Sequence, residues 1–330
     1  MKAWVYHRYG SSDVLSFEEV KAPVPAAGEI AVRVRATGLN AADWHLMRAD
    51  PFLVRLRFGL RKPRRPMIIG TDVAGVVEAV GEGVTHFSPG DQVYGEVLMK
   101  GACAELVTIR EDEAARMPVS LTFTRAAGVP MAGVTALRAV RDDGRLQPGQ
   151  TVLINGASGG VGTFAVQIAR ALGGKTTAVC STAAMELVRS LGADEVIDYT
   201  AEDVIDSGRT FDLVVNIGGL HSLRALRRTL TPRGTLAGVG GSQRGGLLGP
   251  GSVITRGALL SPFVSQRLVS VAGKGNRPDL ETLATMIDAG EVTPVIDRTY
   301  PLSEVPEAMR YQEEGHPKGN VVIDLEDGGA

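Results

Sequence analysis

Cysteine is scarce in this chain, since Cys103 and Cys180 are the only two among 330 residues. Small secreted proteins without a large core rely on several disulfides, and a cysteine-rich zinc lobe needs four thiolates. The cysteine count therefore excludes both a disulfide framework and such a lobe. A chain of this length is instead long enough for two domains, each with its own buried core.

An excess of one charge and an unbroken apolar run are missing as well. Lys and Arg total 35 and Asp and Glu total 37, which argues against a dedicated nucleic-acid binder. The apolar stretch 253–271 is interrupted by Arg256, Pro262 and Arg267, so it does not suit a membrane span. The first ten residues lack the apolar core of a secretory signal. These absences predict a cytoplasmic protein with neither nucleic acid nor membrane as a partner.

Short strand-like segments dominate the chain up to about residue 118. Residues 29–37, 73–80 and 92–97 are rich in Val and alternate apolar with polar positions, and 88–91 has the composition of a tight turn. This pattern predicts a compact, partly open β-barrel.

From about residue 121 the pattern changes to alternating strands and helices. Strands are predicted at 152–154, 176–180, 195–197, 213–216, 235–239 and 268–272, and helices at 161–172, 185–191 and 223–230. Repeated βα units imply a doubly wound parallel sheet covered on both faces. A last strand at 321–325 is expected to return to the first domain. We therefore predict an α/β protein with one domain at 1–122 and 274–330 and a second, doubly wound domain at 123–273.

The most informative segment is VLINGASGGVG, residues 152–162, in which a strand, a glycine-rich turn and a helix follow one another. Small residues let the backbone approach a diphosphate, and a helix N-terminus offers unpaired N–H groups. Ala157 replaces the first glycine of the usual fingerprint. Glycines also serve bends without a ligand, but this context favours a dinucleotide site at Ser158, Gly159, Gly160 and Val161.

The residues after the second strand bear on the choice of dinucleotide. NAD sites usually place a carboxylate there to bind the ribose 2′-hydroxyl, whereas this chain has Cys180 followed by Ser181 and Thr182. The two hydroxyls and Tyr199 are predicted to bind the adenosine end of NADPH, with NADH left open. In the alternative interpretation Ser181 and Thr182 only cap the following helix.

Several segments together resemble the medium-chain dehydrogenase/reductase superfamily, and within it the zinc-free quinone oxidoreductase (zeta-crystallin-like) branch. They are GLNAAD at 38–43, GTDVAGVV at 70–77, MAGVTA at 131–136, the glycine-rich turn, and LGAD followed by DY at 191–199. The resemblance covers the whole chain. It implies a GroES-like domain, a Rossmann domain, a cofactor in the cleft between them, and a homodimer.

Zinc-dependent members of that superfamily differ from this chain at their catalytic metal ligands. The corresponding positions hold Asn40 in place of Cys, Thr71 in place of His and Met131 in place of Cys. Amide, hydroxyl and thioether groups are poor ligands for zinc. The sequence predicts no metal site.

The resemblance places several residues in the cleft. Asn40 is predicted to donate a hydrogen bond to the acceptor oxygen, or else to shape a turn, and Asp43 to orient that loop or cap a helix. His45 is predicted to face the substrate or donate a proton, with a packed or surface histidine as the alternative. Thr135 is predicted to contact the nicotinamide, with a core position as the alternative.

Strand ends of the second domain complete the predicted cofactor site. Ligands of such sheets bind beyond the carboxyl ends of the strands, which indicates Ile217, Gly218, Val239 and Gly240. Lys274 and Lys318 are weaker candidates for a cofactor phosphate, because lysines are usually solvated.

Three features fit the resemblance less well. Ala183 and Ala184 stand where NADPH-preferring relatives often have Lys or Arg. The basic insert 53–65 is a lid, an anion-attracting segment or a solvated loop. The stretch 242–265 shapes an acceptor pocket or a dimer contact.

Without a metal to polarise an alcohol, the chemistry predicted is hydride transfer from NADPH to quinones or activated α,β-unsaturated carbonyls. One alternative is a zinc-free alcohol/aldehyde or enoyl-thioester reductase. A non-enzyme alternative is an NADPH-binding structural or regulatory protein.

Overall fold

The computed structural model describes residues 1–50, 52–217, 221–240, 264–271, 275–315 and 317–326. The first part of the chain consists mainly of strands, with two helices between β3 and β4. The strands are β1 Lys2–Tyr6, β2 Leu15–Glu19, β3 Glu29–Leu39, β4 Met67–Ile68, β5 Asp72–Val80, β6 Gln92–Glu96, β7 Leu106–Arg110 and β8 Ala114–Arg116. The helices are α1 Ala41–Arg48 and α2 Leu53–Phe58.

The long strand β3 organises the first domain. It pairs antiparallel with β5 on one side, while the other side pairs first with β7 at residues 29–33 and then with the chain's last strand at residues 36–39. Register shifts at 31/32 and 34/36 curl the sheet. Its apolar face, which includes Ile30, Val32 and Val34, packs into a core of Val and Ile side chains. The partly open β-barrel predicted from the sequence is built around β3, which pairs with β5, β7 and the chain's last strand.

The second domain is a six-stranded parallel sheet between helices. Its strands are β9 Thr151–Asn155, β10 Lys175–Cys180, β11 Glu195–Asp198, β12 Phe211–Asn216, β13 Leu230–Val239 and β14 Arg267–Val271. Its helices are α3 Phe123–Ala127, α4 Pro130–Leu137, α5 Gly160–Ala171, α6 Met185–Ser190 and α7 Leu223–Arg228. The strand order is β11-β10-β9-β12-β13-β14, so the winding reverses between β9 and β12. Ligands of doubly wound sheets bind at that reversal.

Most predicted elements of this domain are observed within one or two residues of their expected bounds. Strand β13 differs: it was predicted to begin at residue 235 but begins at Leu230, where helix α7 was predicted to continue although it ends at Arg228. Leu226 and Leu230 are buried in the same apolar cluster. The helical spacing of leucines therefore continues from α7 into β13. For this reason the hydrophobic pattern alone does not locate the end of the helix.

The last part of the chain returns to the first domain, as predicted. It contains α8 Arg277–Asp288, β15 Ile296–Pro301, α9 Val305–Glu314 and β16 Asn320–Asp324. β16 pairs antiparallel with β3, with Val321 opposite Leu39. The Tyr94 hydroxyl donates to the Leu280 carbonyl of α8 over 2.6 Å, which ties this returning segment to β6. The domain bounds at 122/123 and 273/274 stay a prediction.

No helix in the described residues has both the length and the apolar character needed to cross a membrane.

Candidate functional site

The glycine-rich turn connects β9 to α5. Some of its glycines are required by the backbone conformation or by close packing, and others face open space. Gly156 has a φ of +90°, a conformation that favours glycine. A Cβ on Gly162 would lie 2.1 Å from the Gly156 carbonyl oxygen, so the turn packs closely against itself there. A Cβ on Gly159 would meet only that same oxygen, at 3.9 Å, so this position faces open space. The first amides of α5 have no carbonyl one turn earlier to bind, and the turn therefore fits an anionic diphosphate.

A residue that the sequence analysis missed, Asn320, lies against this turn. Its Oδ1 atom would be 2.5 Å from a Cβ on Gly160, and its Nδ2 donates to the Val295 carbonyl over 3.1 Å. Asn320 is buried at the start of β16. The first domain thus contacts the phosphate turn of the second. No local motif signals this contact, because the two residues are 160 positions apart.

The adenosine end of the predicted site lies beyond β10 and β11. Ser181 precedes a short 3-10 turn without capping it through its side chain, so the capping alternative is not observed for Ser181. The Thr182 hydroxyl donates to Asp198 Oδ2 over 2.5 Å, and this hydrogen bond lowers the pKa of Asp198. The exposed Tyr199 follows, and its N–H donates to the Cys180 carbonyl over 3.1 Å. β10 does not end in a carboxylate residue. The carboxylate of Asp198, at the end of β11, nevertheless lies beside Thr182.

A cation also reaches this place from the far end of the chain. Lys318 Nζ donates to the Ala183 carbonyl over 2.9 Å. Ala183 and Ala184 are the positions where a basic residue was expected and is missing. The structure thus brings Ser181, Thr182, Tyr199 and Lys318 together, with Asp198 as an opposing charge.

The opposite half of the predicted cofactor site lies at the carboxyl ends of β9, β12 and β13. Asn155 Nδ2 donates to Asn216 Oδ1 over 2.8 Å, which joins the two strands at the reversal point. The Ile217 N–H donates to the Asn155 carbonyl over 3.0 Å. Val239 ends β13, and a Cβ on Gly240 would meet nothing within 4 Å. Gly218 and Lys274, also predicted here, lie outside the described residues.

Thr135 is half-buried on α4, between the buried residues Val134 and Ala136. Because α4 packs against α5, Thr135 is carried on the helix that flanks the phosphate turn. Its predicted contact with the nicotinamide stays a prediction.

The loop between β3 and α1 is held by a network of buried polar groups. Asp43 is fully buried and accepts hydrogen bonds from the Asn40 N–H at 2.8 Å, the Gly70 N–H at 2.9 Å and the Thr71 hydroxyl at 2.9 Å. Asp43 thereby orients the loop and caps α1, as predicted from the sequence. Burial raises its pKa to about 6 in spite of these bonds.

Asn40 is the central cross-link of this network. Its Nδ2 group donates to Thr71 Oγ1 over 2.7 Å and to Asp72 Oδ2 over 2.9 Å. Both amide hydrogens are therefore in use, and the predicted donation to an acceptor oxygen requires one of these bonds to exchange. The geometry makes Asn40 a residue that fixes the loop.

Asp72 continues the network toward the second domain. Its Oδ1 accepts from the Met131 N–H of α4 at 3.1 Å. Burial, and then the nearby Glu96, raise the pKa of Asp72 well above its usual range. Glu96 in turn accepts from the Gly275 N–H at 3.0 Å. The buried carboxylate of Asp72 thus connects the two domains at this point.

These raised pKa values predict how stability depends on pH. Between about pH 4 and pH 6 the native state holds protons on Asp43 and Asp72 that the unfolded chain has lost, so the contribution of these two groups to the free energy of unfolding falls as pH rises. Each unit by which the pKa is raised in the native state corresponds to about 1.4 kcal/mol of unfolding free energy. Urea unfolding of the parent and of Asp72→Asn at several pH values measures this effect. We expect the variant to lose less stability than the parent as pH rises across this range; an equal dependence on pH in parent and variant contradicts the expectation.

His45 lies one turn along α1 from Asn40. Its Nδ1 atom is 2.7 Å from the Asp50 carbonyl, so in the neutral ring Nδ1 carries the hydrogen. The ring stacks on Trp44 with centroids 3.6 Å apart and is half-buried. This packing matches the alternative interpretation, and proton donation by His45 stays a prediction.

The positions that hold zinc ligands in related enzymes serve the polar network here. The side chains of Asn40 and Thr71 bind each other, and the Met131 backbone binds Asp72. Within the described parts of the chain, no three His, Cys, Asp or Glu residues are grouped so that they could hold a metal ion.

Comparison with known proteins identifies the family. Residues 26–148 match the model of the alcohol dehydrogenase GroES-like domain, and residues 191–323 match that of the zinc-binding dehydrogenase family. The NAD(P)H oxidoreductase RTN4IP1, mitochondrial, of Mus musculus is 36% identical over 98% of this chain and 89% of its own length. The chain belongs to the medium-chain dehydrogenase/reductase superfamily.

Other similar proteins carry names that state a substrate class or a bound cofactor. The NADPH-dependent alkenal/one oxidoreductase, chloroplastic, of Arabidopsis thaliana is 33% identical over 98% of this chain and 79% of its own length. The Escherichia coli quinone oxidoreductase, solved as a complex with NADPH, is 26% identical, with a TM-score of 0.81 over 98% of this chain and 100% of its own. The predicted GroES-like and Rossmann domains, the oxidoreductase class and the nicotinamide cofactor are confirmed.

The predicted cytoplasmic location is contradicted by these relatives. The animal relatives are named as mitochondrial proteins and a plant relative as chloroplastic. That prediction was based on the first ten residues, which lack the apolar core of a secretory signal. Organelle import instead uses amphipathic segments rich in Arg and Ser, which that criterion does not detect.

Proposed function

We propose that this protein reduces quinones or activated α,β-unsaturated carbonyls with NADPH and without zinc. The observation that carries the proposal is the set of residues at the three positions where related enzymes hold metal ligands, Asn40, Thr71 and Met131. The positions of the metal ligands hold an amide, a hydroxyl and a thioether, and the first two are hydrogen-bonded to buried carboxylates. When bound, the nicotinamide supplies a hydride. Conjugated acceptors suit such a site because they delocalise the charge that a metal would otherwise stabilise.

The residues of the chain contribute position rather than electrophilic catalysis in this proposal. The phosphate turn at Gly159 and Gly160 holds the diphosphate, and the ends of β12 and β13 border the nicotinamide half. The Asn40–Asp43–Thr71 network fixes the loop between β3 and α1. Asn320, on the strand that pairs with β3, sets the distance between that loop and the phosphate turn. Such preorganisation lowers the entropic part of the barrier to hydride transfer.

Turnover on a panel of acceptors tests the proposal. Quinones, enones, enoyl-CoA thioesters and aldehydes are compared with NADPH as reductant, in parallel with elemental analysis and a chelator control. We expect turnover of quinones or enones that is insensitive to chelation. Activity on aldehydes alone, or stoichiometric zinc that turnover requires, contradicts the proposal. Enoyl thioesters as the preferred class support the alternative reductase.

The choice of NADPH over NADH is proposed from the charges around Ala183. Lys318 and the hydroxyl of Ser181 favour a 2′-phosphate, whereas the carboxylate of Asp198 disfavours it. The preference between NADPH and NADH depends on which of these charges lies nearer the 2′-phosphate. Lys318 is hydrogen-bonded to the turn that follows Ser181, and we therefore propose NADPH.

Two substitutions of opposite sign test this choice. Lys318→Gln is expected to weaken NADPH binding about tenfold, and Asp198→Asn to strengthen it, because each removes one charge. The dissociation constant of NADH serves as the internal control and is expected to change less than threefold. Calorimetric titration measures both constants. Equal losses for the two cofactors in Lys318→Gln would remove Lys318 from 2′-phosphate recognition.

A homodimer is part of the proposal. β14 is the outermost described strand on its side of the six-stranded sheet, and an open sheet edge can pair with a second copy. Light scattering that gives twice the chain mass supports the dimer, and the mass of one chain at all concentrations contradicts it.

A further inference from the structure

The insert between α1 and β4 carries an unusual concentration of positive charge. Residues 52–65 contain six cations, at positions 55, 57, 61, 62, 64 and 65, and no Asp or Glu. We call residues 52–65 the basic patch. Arg57, Arg61, Lys62, Arg64 and Arg65 are exposed, and none of them forms an ion pair with a described carboxylate. The neutral balance of the whole chain hides this local charge.

Large apolar side chains are exposed among these cations. Phe52, Leu56 and Leu60 are 49%, 56% and 61% exposed. Phe52 directly precedes α2 and Leu56 follows one turn later, so the two share a face. Exposed apolar residues scattered singly need no explanation, but three within nine residues mark a contact surface.

Internal contacts hold the patch in a defined shape. The Tyr9 hydroxyl donates to the Gly59 carbonyl over 2.9 Å, and the Arg64 N–H donates to the Phe58 carbonyl over 2.8 Å. The Arg55 guanidinium lies over the Tyr9 ring at 5.1 Å. Arg55 is therefore engaged in contacts within the fold. Arg57 lies over the Phe58 ring at 5.8 Å but stays exposed, as do the remaining cations.

We propose that the basic patch docks the protein onto the surface of an anionic lipid bilayer. Basic residues beside exposed Phe and Leu are the composition of segments that bind in the plane of the interface. Cations attract the anionic headgroups, while Phe52 and Leu56 enter the boundary with the acyl chains. A nucleic acid would use the cations but leave the Leu side chains in water, so the bilayer fits the patch better. The sequence-based expectation of no membrane partner was based on the absence of a span, which surface docking does not need.

Vesicle flotation with the full chain tests this proposal. The vesicles contain phosphatidylcholine alone or mixed with phosphatidylglycerol. We expect the parent to float only with the anionic vesicles and to be released by high salt. Arg57→Glu with Arg61→Glu, and separately Phe52→Ser with Leu56→Ser, are expected to lower the affinity at least about tenfold.

A matched control separates the patch from overall charge. Arg224 and Arg228 are exposed on α7, and Arg224→Glu with Arg228→Glu makes the same change in net charge elsewhere. The control is expected to bind vesicles like the parent. No preference of the parent for anionic vesicles, an equal loss in the control, or stronger binding to a duplex oligonucleotide than to vesicles overturns the proposal. Melting temperature and NADPH affinity of every variant are measured alongside, so failure to fold and failure of the reductase proposal are each recognised separately.

Discussion

Replacing Gly159 by alanine is expected to weaken NADPH binding at least about tenfold while leaving the melting temperature unchanged. The backbone at Gly159 is extended, with φ −79° and ψ 176°, so alanine is accommodated without strain. The added Cβ points into open space, where its nearest neighbour is the Gly156 carbonyl oxygen at 3.9 Å. That space borders the unpaired amides of α5, which the diphosphate must approach closely. Fluorescence titration with NADPH, together with thermal unfolding of the ligand-free protein, measures the two effects.

Gly162 provides the matched comparison on the inner side of the same turn. A Cβ there would lie 2.1 Å from the Gly156 carbonyl oxygen, a backbone atom that cannot turn away. Gly162→Ala is therefore expected to lower the stability of the ligand-free protein by about 1–3 kcal/mol. If Gly159→Ala bound NADPH as tightly as the parent, the turn would not hold the diphosphate and the proposed cofactor site would be wrong.

Replacing Asp43 by alanine is expected to have the largest effect on stability. Its carboxylate accepts from two backbone N–H groups and one hydroxyl, all at 2.8–2.9 Å. Without it, these donors at Asn40, Gly70 and Thr71 lose their partner in a region closed to water. Each unsatisfied buried donor costs about 1–3 kcal/mol, so we expect a loss of at least about 3 kcal/mol. Urea unfolding with the midpoint and slope fitted separately measures the loss.

Asp206→Ala is the control for removal of a carboxylate, because Asp206 is exposed on a loop of the second domain. Its expected change in stability is within about 0.5 kcal/mol. Thr71→Val removes one donor to Asp43 and the acceptor of one Asn40 amide hydrogen, and its loss of stability is expected to fall between those of Asp43→Ala and Asp206→Ala. A loss below about 1 kcal/mol for Asp43→Ala would show that the loop between β3 and α1 does not depend on this network.

The second domain was predictable from the sequence because its elements are local and strongly periodic. A strand, a glycine turn and an amphipathic helix are each encoded within a dozen residues, so β9, α5 and β10 are observed where expected. The helix α7 shows the limit, since leucine spacing runs on into β13 and only pairing with β12 decides that Leu230 is a strand residue.

The candidate site was less predictable, because its geometry depends on residues far apart in the chain. Asn320 and Lys318 reach the phosphate turn and Ala183 through the pairing of β16 with β3. The use of both Asn40 amide hydrogens depends on where β5 begins. The carboxylate of Asp198 enters the adenosine end from a neighbouring strand, which counting along one strand does not reveal.

The antiparallel pairing of β16 with β3 has a consequence for biosynthesis. Residues 36–39 of β3 gain their neighbours on that side only when residues 321–324 have left the ribosome. Until then the backbone edge of β3 at residues 36–39 stays unpaired, while the second domain already has its own core. The nascent chain is therefore most vulnerable to aggregation in its first domain, and the proposed nucleotide site lacks Lys318 and Asn320 until that stage of synthesis.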